Sequence, residues 1–373
     1  MVHEPTAVRI GESRRAQILR EGRRTLAVLP IHYPKEILTA LDILAVELWG
    51  PPGPPCGDAA GRLQSYVCAV VRNALAFLAA GKADVVDGVL FPHTCDSLQG
   101  LATLATDFGG WNKKSFVYHH ARGTDRASAR RCVHAELRAL AGELETWVGR
   151  RLEPDRLAWA VELHRKIDAA RAALLDGRAR LARGDVELYA LLRRGERLWP
   201  EDHLVELRAA VAELAAGPVQ PGIPILVTGY VPEPAGLLST LNAAGAYVAA
   251  DDYAAVGRRV ARERKRSDGD PWAALVERTL SLPPCPTRAV EQGARLMHLE
   301  ALFERSGARG VLVHVQKFCE PELFDVPAIR NTFAARGVPV LVLEGELEQQ
   351  LSGQAETRIE AFAEMLRAHG RAA

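Results

Sequence analysis

The sequence predicts an α/β fold: two α/β lobes with parallel sheets, joined by a helical segment. Three observations predict it. Near both ends of the chain, short apolar runs alternate with longer amphipathic ones, the pattern of strands linked by crossover helices. Between them, residues 126–220 carry Ala, Leu, Arg and Glu at helical spacing with almost no β-branched runs. And the two ends repeat one another in short words.

The expected N-terminal lobe covers residues 1–125. Its elements are a helix over 11–23, a strand Thr25–Ile31 and a helix Lys35–Ala45, then a Pro/Gly loop, Gly50–Gly57. A helix over 62–80, a strand Val85–Phe91, a helix Asp96–Thr106 and a strand Ser115–His119 follow. Residues 126–220 form the linking helices. The C-terminal lobe, 221–373, holds strands Ile223–Thr228, Ala246–Ala250, Gly310–Val315 and Val338–Leu343, and the helix Gln354–His369 closes the chain.

The words LAVLPIHYPKEIL (Leu26–Leu38) and ILVTGYVPEPAGLL (Ile225–Leu238) resemble each other, as do DGVLFPHTCD (Asp87–Asp96) and RGVLVHVQKFCE (Arg309–Glu320). In the second pair the order is charged residue, Gly, apolar strand, polar tip, Cys, acid. Buried strands share composition by chance. A cysteine at both strand ends favours a duplicated α/β unit.

Bulk composition narrows the function classes. At 373 residues, 48% apolar and 25% charged, the chain builds its cores without structural staples. A net charge of +1 gives no reason to expect nucleic acid or a membrane surface as partner, and the basic run Arg258–Arg266 reads as solvated surface. The polar N-terminus and the absence of a stretch of roughly 18 apolar residues predict a cytoplasmic protein with no membrane span. In that compartment the six cysteines are reduced: free, metal-bound or catalytic.

In open α/β sheets ligands gather at the carboxyl ends of the strands. Cys95 and Cys319 are expected there, each followed by an acid and a helix start, with Pro321 suited to a first helical turn. The partial positive charge of a helix N-terminus stabilises a thiolate. Cys68 falls within the helix expected over 62–80. Taken alone, the cysteine spacing matches no zinc finger or ferredoxin run, and any one of them could be a small buried hydrophobe.

The words LQSYVCAVVRNAL, DGVLFPHTCDSLQ, VLVHVQKFCEPELFDVPAIRNTF and TRIEAFAEML resemble the 2-hydroxyacyl-CoA dehydratase and benzoyl-CoA reductase family, in particular the D-component of 2-hydroxyglutaryl-CoA dehydratase. The resemblance runs from about Thr25 to Leu366 and is weakest in the helical middle. It implies two Rossmann-like lobes with a [4Fe–4S] cluster between them, held by Cys68, Cys95 and Cys319, with one iron left to water, hydroxide or substrate oxygen. It also implies a dimer with a homologous second subunit or with itself, a separate ATP-hydrolysing iron–sulfur activator, and an acyl-CoA substrate. An electron added to the thioester carbonyl gives a ketyl, which expels the 2-hydroxyl and eases loss of the β-proton. An open iron position suits such a carbonyl or hydroxyl, as at other open metal sites.

Other residues carry weaker expectations. His93, two residues before Cys95, is the candidate catalytic group for positioning substrate or moving a proton, against the plainer role of a hydrogen-bonded strand-end histidine. His32 is similar. Arg72 lies one turn after Cys68 and can balance cluster charge. The family word DDxxxGxR appears as Asp251, Asp252, Gly257 and Arg258. For this word, loop architecture near the cleft with Arg258 as a CoA-phosphate contact competes with an N-cap plus a solvated arginine. Cys285 is the runner-up ligand, and Cys56 and Cys132 are expected to be incidental thiols. No Walker A or GxGxxG word is present. The competing functions are a benzoyl-CoA reductase subunit, a non-catalytic partner subunit, and a zinc-binding or cluster-free α/β protein.

Overall fold

The computed structural model describes residues 12–50, 61, 63–123, 125–181, 183–214, 221–262, 269–347 and 350–369. Cys56, most of the Gly50–Gly57 loop and residues 263–266 of the basic run lie outside them. Eight strands form two four-stranded sheets, every pairing parallel. The first comprises β1 (Arg24–Val28), β2 (Ile43–Glu47), β3 (Gly88–His93) and β4 (Lys114–His119), in the order β2-β1-β3-β4. The second comprises β5 (Ile223–Gly229), β6 (Ala246–Tyr253), β7 (Gly310–Gln316) and β8 (Val340–Gly345), in the order β6-β5-β7-β8. This is the expected α/β class with two Rossmann-like sheets.

The repeated words occupy matching places. Leu26 pairs with Gly88 across β1 and β3, and Ile225 pairs with Gly310 across β5 and β7. Both words therefore lie on the two central strands of their sheets, where burial on both faces requires continuous apolar runs. β3 is buried up to Pro92, and β7 is buried throughout.

Several elements differ from expectation. The helix expected over Lys35–Ala45 stops at Ala40, and its tail is the edge strand β2. Asp42, with φ of 53°, makes the break; a left-handed residue ends a helix at once. The helix expected over 62–80 spans only Ala69–Ala79. The helix after β3 is fragmented into Asp96–Gln99, Leu101–Thr103 and a π-turn, Leu104–Phe108.

The chain packs as two units. The first contains residues 1–168, 194–203 and 261–282; the second contains 169–193, 204–260 and 283–373. Residues 126–220, which form helices Ala127–Val148, Pro154–Gly177, Asp185–Arg193 and Pro200–Glu213, thus contribute to both. In the first unit, Leu26, Val28, Leu90 and Phe116 of the sheet pack against Val133, Leu137 and Leu144 of the long helix and Leu275 of helix Pro271–Ser281. In the second, Leu226, Val311, Val313 and Val315 pack against Leu299 and Phe303 of helix Gln292–Ser306 and Ile329 and Phe333 of helix Glu320–Ala334. Each such side chain contributes about 1.5–3 kcal/mol by leaving water.

Candidate functional site

All three candidate ligands occupy the same kind of position: each is the N-cap of a helix. Cys95 was expected there and so was Cys319. Cys68 was not; it precedes its helix rather than sitting inside it. In each case the cysteine carbonyl accepts the first helical hydrogen bonds, from Val71 and Arg72 for Cys68, Leu98 and Gln99 for Cys95, and Glu322 and Leu323 for Cys319.

Cys68 and Cys95 are neighbours in the first unit. Burial raises the Cys68 thiol, opposed by the backbone N–H groups of Val71 and Val70 and by the positive charge of Arg72. Burial also pushes the Cys95 thiol up to about 12, the nearby Cys68 adds to it, and the N–H groups of Leu98 and Ser97 oppose it. Two largely hidden thiols with backbone donors aimed at each sulfur are costly to ionise alone. A cation that accepts thiolates reverses that balance.

Cys319 follows β7 in the second unit. Lys317 extends the strand by donating its N–H to Gly345 O at 2.8 Å, Phe318 turns the chain with φ of 62°, and the Cys319 N–H returns to Gln316 O at 3.0 Å. Within either unit, the described residues gather no group of three or more His, Cys, Asp or Glu side chains around one point. Cluster ligands each bind a different iron, so they need not meet at a single ion.

The helix that Cys319 caps is anchored by Glu322 in its first turn. Arg258 donates to both Glu322 oxygens, the Nη2–Oε2 contact being 3.0 Å, and its Nε lies 3.1 Å from Asp252 Oδ2. Arg295 reaches the same Asp252 oxygen at 2.5 Å and Thr228 Oγ1 at 2.9 Å. Thr228 donates to Asp252 at 2.7 Å. Burial alone would raise the Asp252 carboxyl, but Arg258 and Arg295 overcome it and hold the carboxyl well below the usual carboxylate range. Two guanidiniums thus offset the Asp252 and Glu322 carboxylates inside the protein, with Asp325 a further carboxyl 3.4 Å from Arg295 Nε, and such pairing is what makes the burial tolerable. Arg258 is 0% exposed and Arg259 is 5% exposed. Both roles weighed for Arg258, solvated arginine and CoA-phosphate contact, are corrected, as is the solvated-surface reading of this end of the basic run. The word DDxxxGxR folds an internal ion network.

Cys285 is fully buried in the same network. Its sulfur lies 3.0 Å from Thr287 Oγ1 and 3.7 Å from Arg258 Nη1. Cys132 is exposed on helix Ala127–Val148.

His93 is the last residue of β3. Its Nε2 is buried with no hydrogen-bond partner among the described residues, and its ring stands 5.0 Å from that of His119. His32, just beyond β1 with φ of 62°, lies 5.9 Å from His120, which in turn lies 4.7 Å from Tyr118. The carboxyl edge of the first sheet is therefore rich in imidazoles. His119 and His120 were missed in sequence because they end a strand with no further motif around it. Arg295, Glu322 and Thr228 were missed because their partners are remote in sequence.

No helix among the described residues is long and apolar enough to cross a membrane. The family model for 2-hydroxyglutaryl-CoA dehydratase, D-component, matches residues 30–366. The chain is 24% identical to the beta chain of lactoyl-CoA dehydratase from Anaerotignum propionicum over 351 residues, 92% of each chain. It is 24% identical to the beta chain of (R)-2-hydroxyglutaryl-CoA dehydratase from Acidaminococcus fermentans, covering 93% of each. With one of the benzoyl-CoA reductase subunits of Thauera aromatica it shares 25% identity, over 86% of this chain and 85% of that one. With the family match running from β2 to β8 and through all three helix-capping cysteines, the chain belongs to the 2-hydroxyglutaryl-CoA dehydratase D-component family.

Proposed function

We propose that this protein is a cytoplasmic subunit of a 2-hydroxyacyl-CoA dehydratase, of the kind its relatives name beta, and that Cys68, Cys95 and Cys319 hold a [4Fe–4S] cluster. The observation that carries the assignment is the shared local geometry of the three cysteines, each a helix N-cap, in a chain whose family match spans them all. When bound, the cluster supplies one-electron transfer and an iron without a protein thiolate that can act as a Lewis acid.

The chain's own groups prepare that site. Backbone N–H groups at the Cys68 and Cys95 caps and the Arg72 charge stabilise thiolates. The Arg258–Glu322 pair holds the first turn after Cys319. His93 positions the acyl-CoA or holds a proton at its buried Nε2. Cys285, engaged by Thr287 and Arg258, is outside the ligand set. A homologous subunit, or a second copy, and an ATP-hydrolysing activator complete the enzyme. The same residues suit a subunit of a benzoyl-CoA reductase, a reading favoured by the similarity to the Thauera aromatica protein. A supporting, non-catalytic partner subunit is the third reading.

The test is anaerobic reconstitution with iron and sulfide, followed by electron paramagnetic resonance. Cys68→Ala, Cys95→Ala and Cys319→Ala should each lose iron, while Cys132→Ala and Cys285→Ala should keep it. Full retention in Cys319→Ala sinks the ligand assignment. Turnover of 2-hydroxyacyl-CoA against benzoyl-CoA thioesters, with partner and activator present, separates dehydratase from reductase.

A further inference from the structure

The second sheet carries a crevice at the carboxyl ends of its strands, built wholly from residues of the second unit. In the strand order β6-β5-β7-β8, β5 and β7 are neighbours whose following helices leave to opposite faces. Helix Gly236–Ala243, after β5, packs against helix Gly353–His369. A Cβ added at Gly310 of β7 would meet Phe362 and Leu366 of that last helix, which fixes the face it covers. Helix Glu320–Ala334, after β7, packs on the other face, against Val311, Val313 and Val315. Such a change of direction opens the crevice in which open α/β sheets bind ligands. The cavity there measures about 200 Å³. Whole small-molecule sites run to roughly 300–1,000 Å³, so this one suits a segment of a larger ligand.

Leu237, His314, Leu343 and Leu351 give the cavity its packing surface. The polar atoms of the His314 ring are turned to the protein: Tyr253 Oη lies 3.4 Å from Nδ1, and the Val231 backbone bonds the ring as well. The side-chain amides of Gln350 and Gln354 also line the cavity and are not engaged by other described residues. Charge at the rim is close to balanced. Lys317 stands with Glu344 and Glu346, and the last helix adds the partial positive charge of its N-terminus, already capped by Ser352 Oγ on the Ala355 N–H at 3.3 Å. A strongly charged ligand gains little from such a rim. A neutral one that offers amides and methyl groups gains from both kinds of surface.

We propose that this crevice binds the pantetheine arm of an acyl-CoA, a neutral chain of amides, a hydroxyl and paired methyl groups. Gln350 and Gln354 exchange hydrogen bonds with the amides, and the leucines cover the methyls. The inference rests on the acyl-CoA reading above and deepens it. Gln350 and Gln354 act in binding, not in the chemistry.

The experiment titrates the full chain by calorimetry with pantetheine, with desulfo-CoA, and with adenosine 3′,5′-bisphosphate as the nucleotide end alone. Pantetheine and desulfo-CoA should bind and compete for one site. Ala355→Phe fills the crevice from its helical side and should weaken both by about tenfold or more. Gln354→Ala should weaken them about fivefold, the effect of one hydrogen bond. Lys317→Ala should change pantetheine binding by less than about twofold, because the arm is neutral. If Ala355→Phe fails to fold, Gln354→Ala and Lys317→Ala decide by the same titrations. An absence of saturable pantetheine binding, or binding that Gln354→Ala and Ala355→Phe leave unchanged, overturns the proposal. Displacement of pantetheine by adenosine 3′,5′-bisphosphate, or a larger loss in Lys317→Ala than in Gln354→Ala, overturns it in favour of an anion site. The two levels of reading fail separately. A complete enzyme, with partner and activator, that turns over no acyl-CoA removes the functional reading. Turnover in which Ala355→Phe leaves KM at the wild-type value removes this inference alone.

Discussion

The two sheets share strand order, although a register shift interrupts β5–β6 between Ile225 and Leu226 and none interrupts β1–β2, and they differ in what fills the carboxyl ends of their first two strands. Val28 pairs with Glu47 in the first sheet and Val227 with Asp251 in the second, so both sheets bury an acid at the same place. Glu47 is answered by Tyr33, Trp49 and Lys35, and Asp251 by the backbone N–H groups of Tyr253 and Gly257. One residue further on, the sheets part. The first has Leu29 and Leu48, both fully buried; the second has Thr228 and Asp252, the root of the Arg258–Arg295–Glu322 network. The consequence reaches the cysteines. Cys319 caps a helix bolted to remote residues through Glu322. Cys95 caps a four-residue helix whose charged neighbour, Asp96, meets the exposed Arg122 at 3.1 Å. The same fold thus holds one candidate ligand by tertiary charge pairing and the other by local backbone.

The sharpest way to break this comparison is Arg258→Met. Removing one cation from a buried, balanced network leaves a carboxylate uncompensated, and the expected loss is about 3–5 kcal/mol in urea denaturation. A loss near that of a surface substitution would mean that the network does not anchor the second sheet. A smaller effect comes from His314 on β7. Burial lowers its imidazole to about 4, against about 6.5 in the unfolded chain. Below that unfolded value the unfolded chain takes up a proton that the fold refuses, so stability falls as pH falls. Between pH 7 and pH 5 the loss from this group should be about 2 kcal/mol, and His314→Gln should flatten that slope. An unaltered slope in the variant would assign the acid sensitivity elsewhere. The smallest effect belongs to the first sheet. Arg122→Ala removes a pair whose side chains are 49% and 81% exposed, and it should cost under about 1 kcal/mol. Iron content of the reconstituted protein should not change. A large loss there would erase the contrast between the two cysteine caps.

Much of this arrangement was legible in the residues alone. Alternation of apolar runs with helical periods marks parallel sheets, because buried strands and crossover helices impose different periods on one chain. The repeated words fall on the strands at the centre of each sheet, and the Cys–acid pairs after them predicted two of the three helix caps. The misses share one cause. Nothing in LTALDILAVEL separates a helix from a helix followed by a strand until Asp42 adopts its left-handed conformation. Cys68 was drawn into a helix because residues 62–67 contain no breaker.

Arg258 shows where sequence reasoning stops. In its run of basic residues it looks solvated, yet its partner Glu322 lies 64 positions away. Composition and period are short-range properties, and they determined the α/β class, the central strands and the places of Cys95 and Cys319. Whether a charge is buried depends on which distant opposite charge the fold brings to it, since desolvation is tolerable only when paired. That pairing and the capping position of Cys68 were decided by tertiary structure.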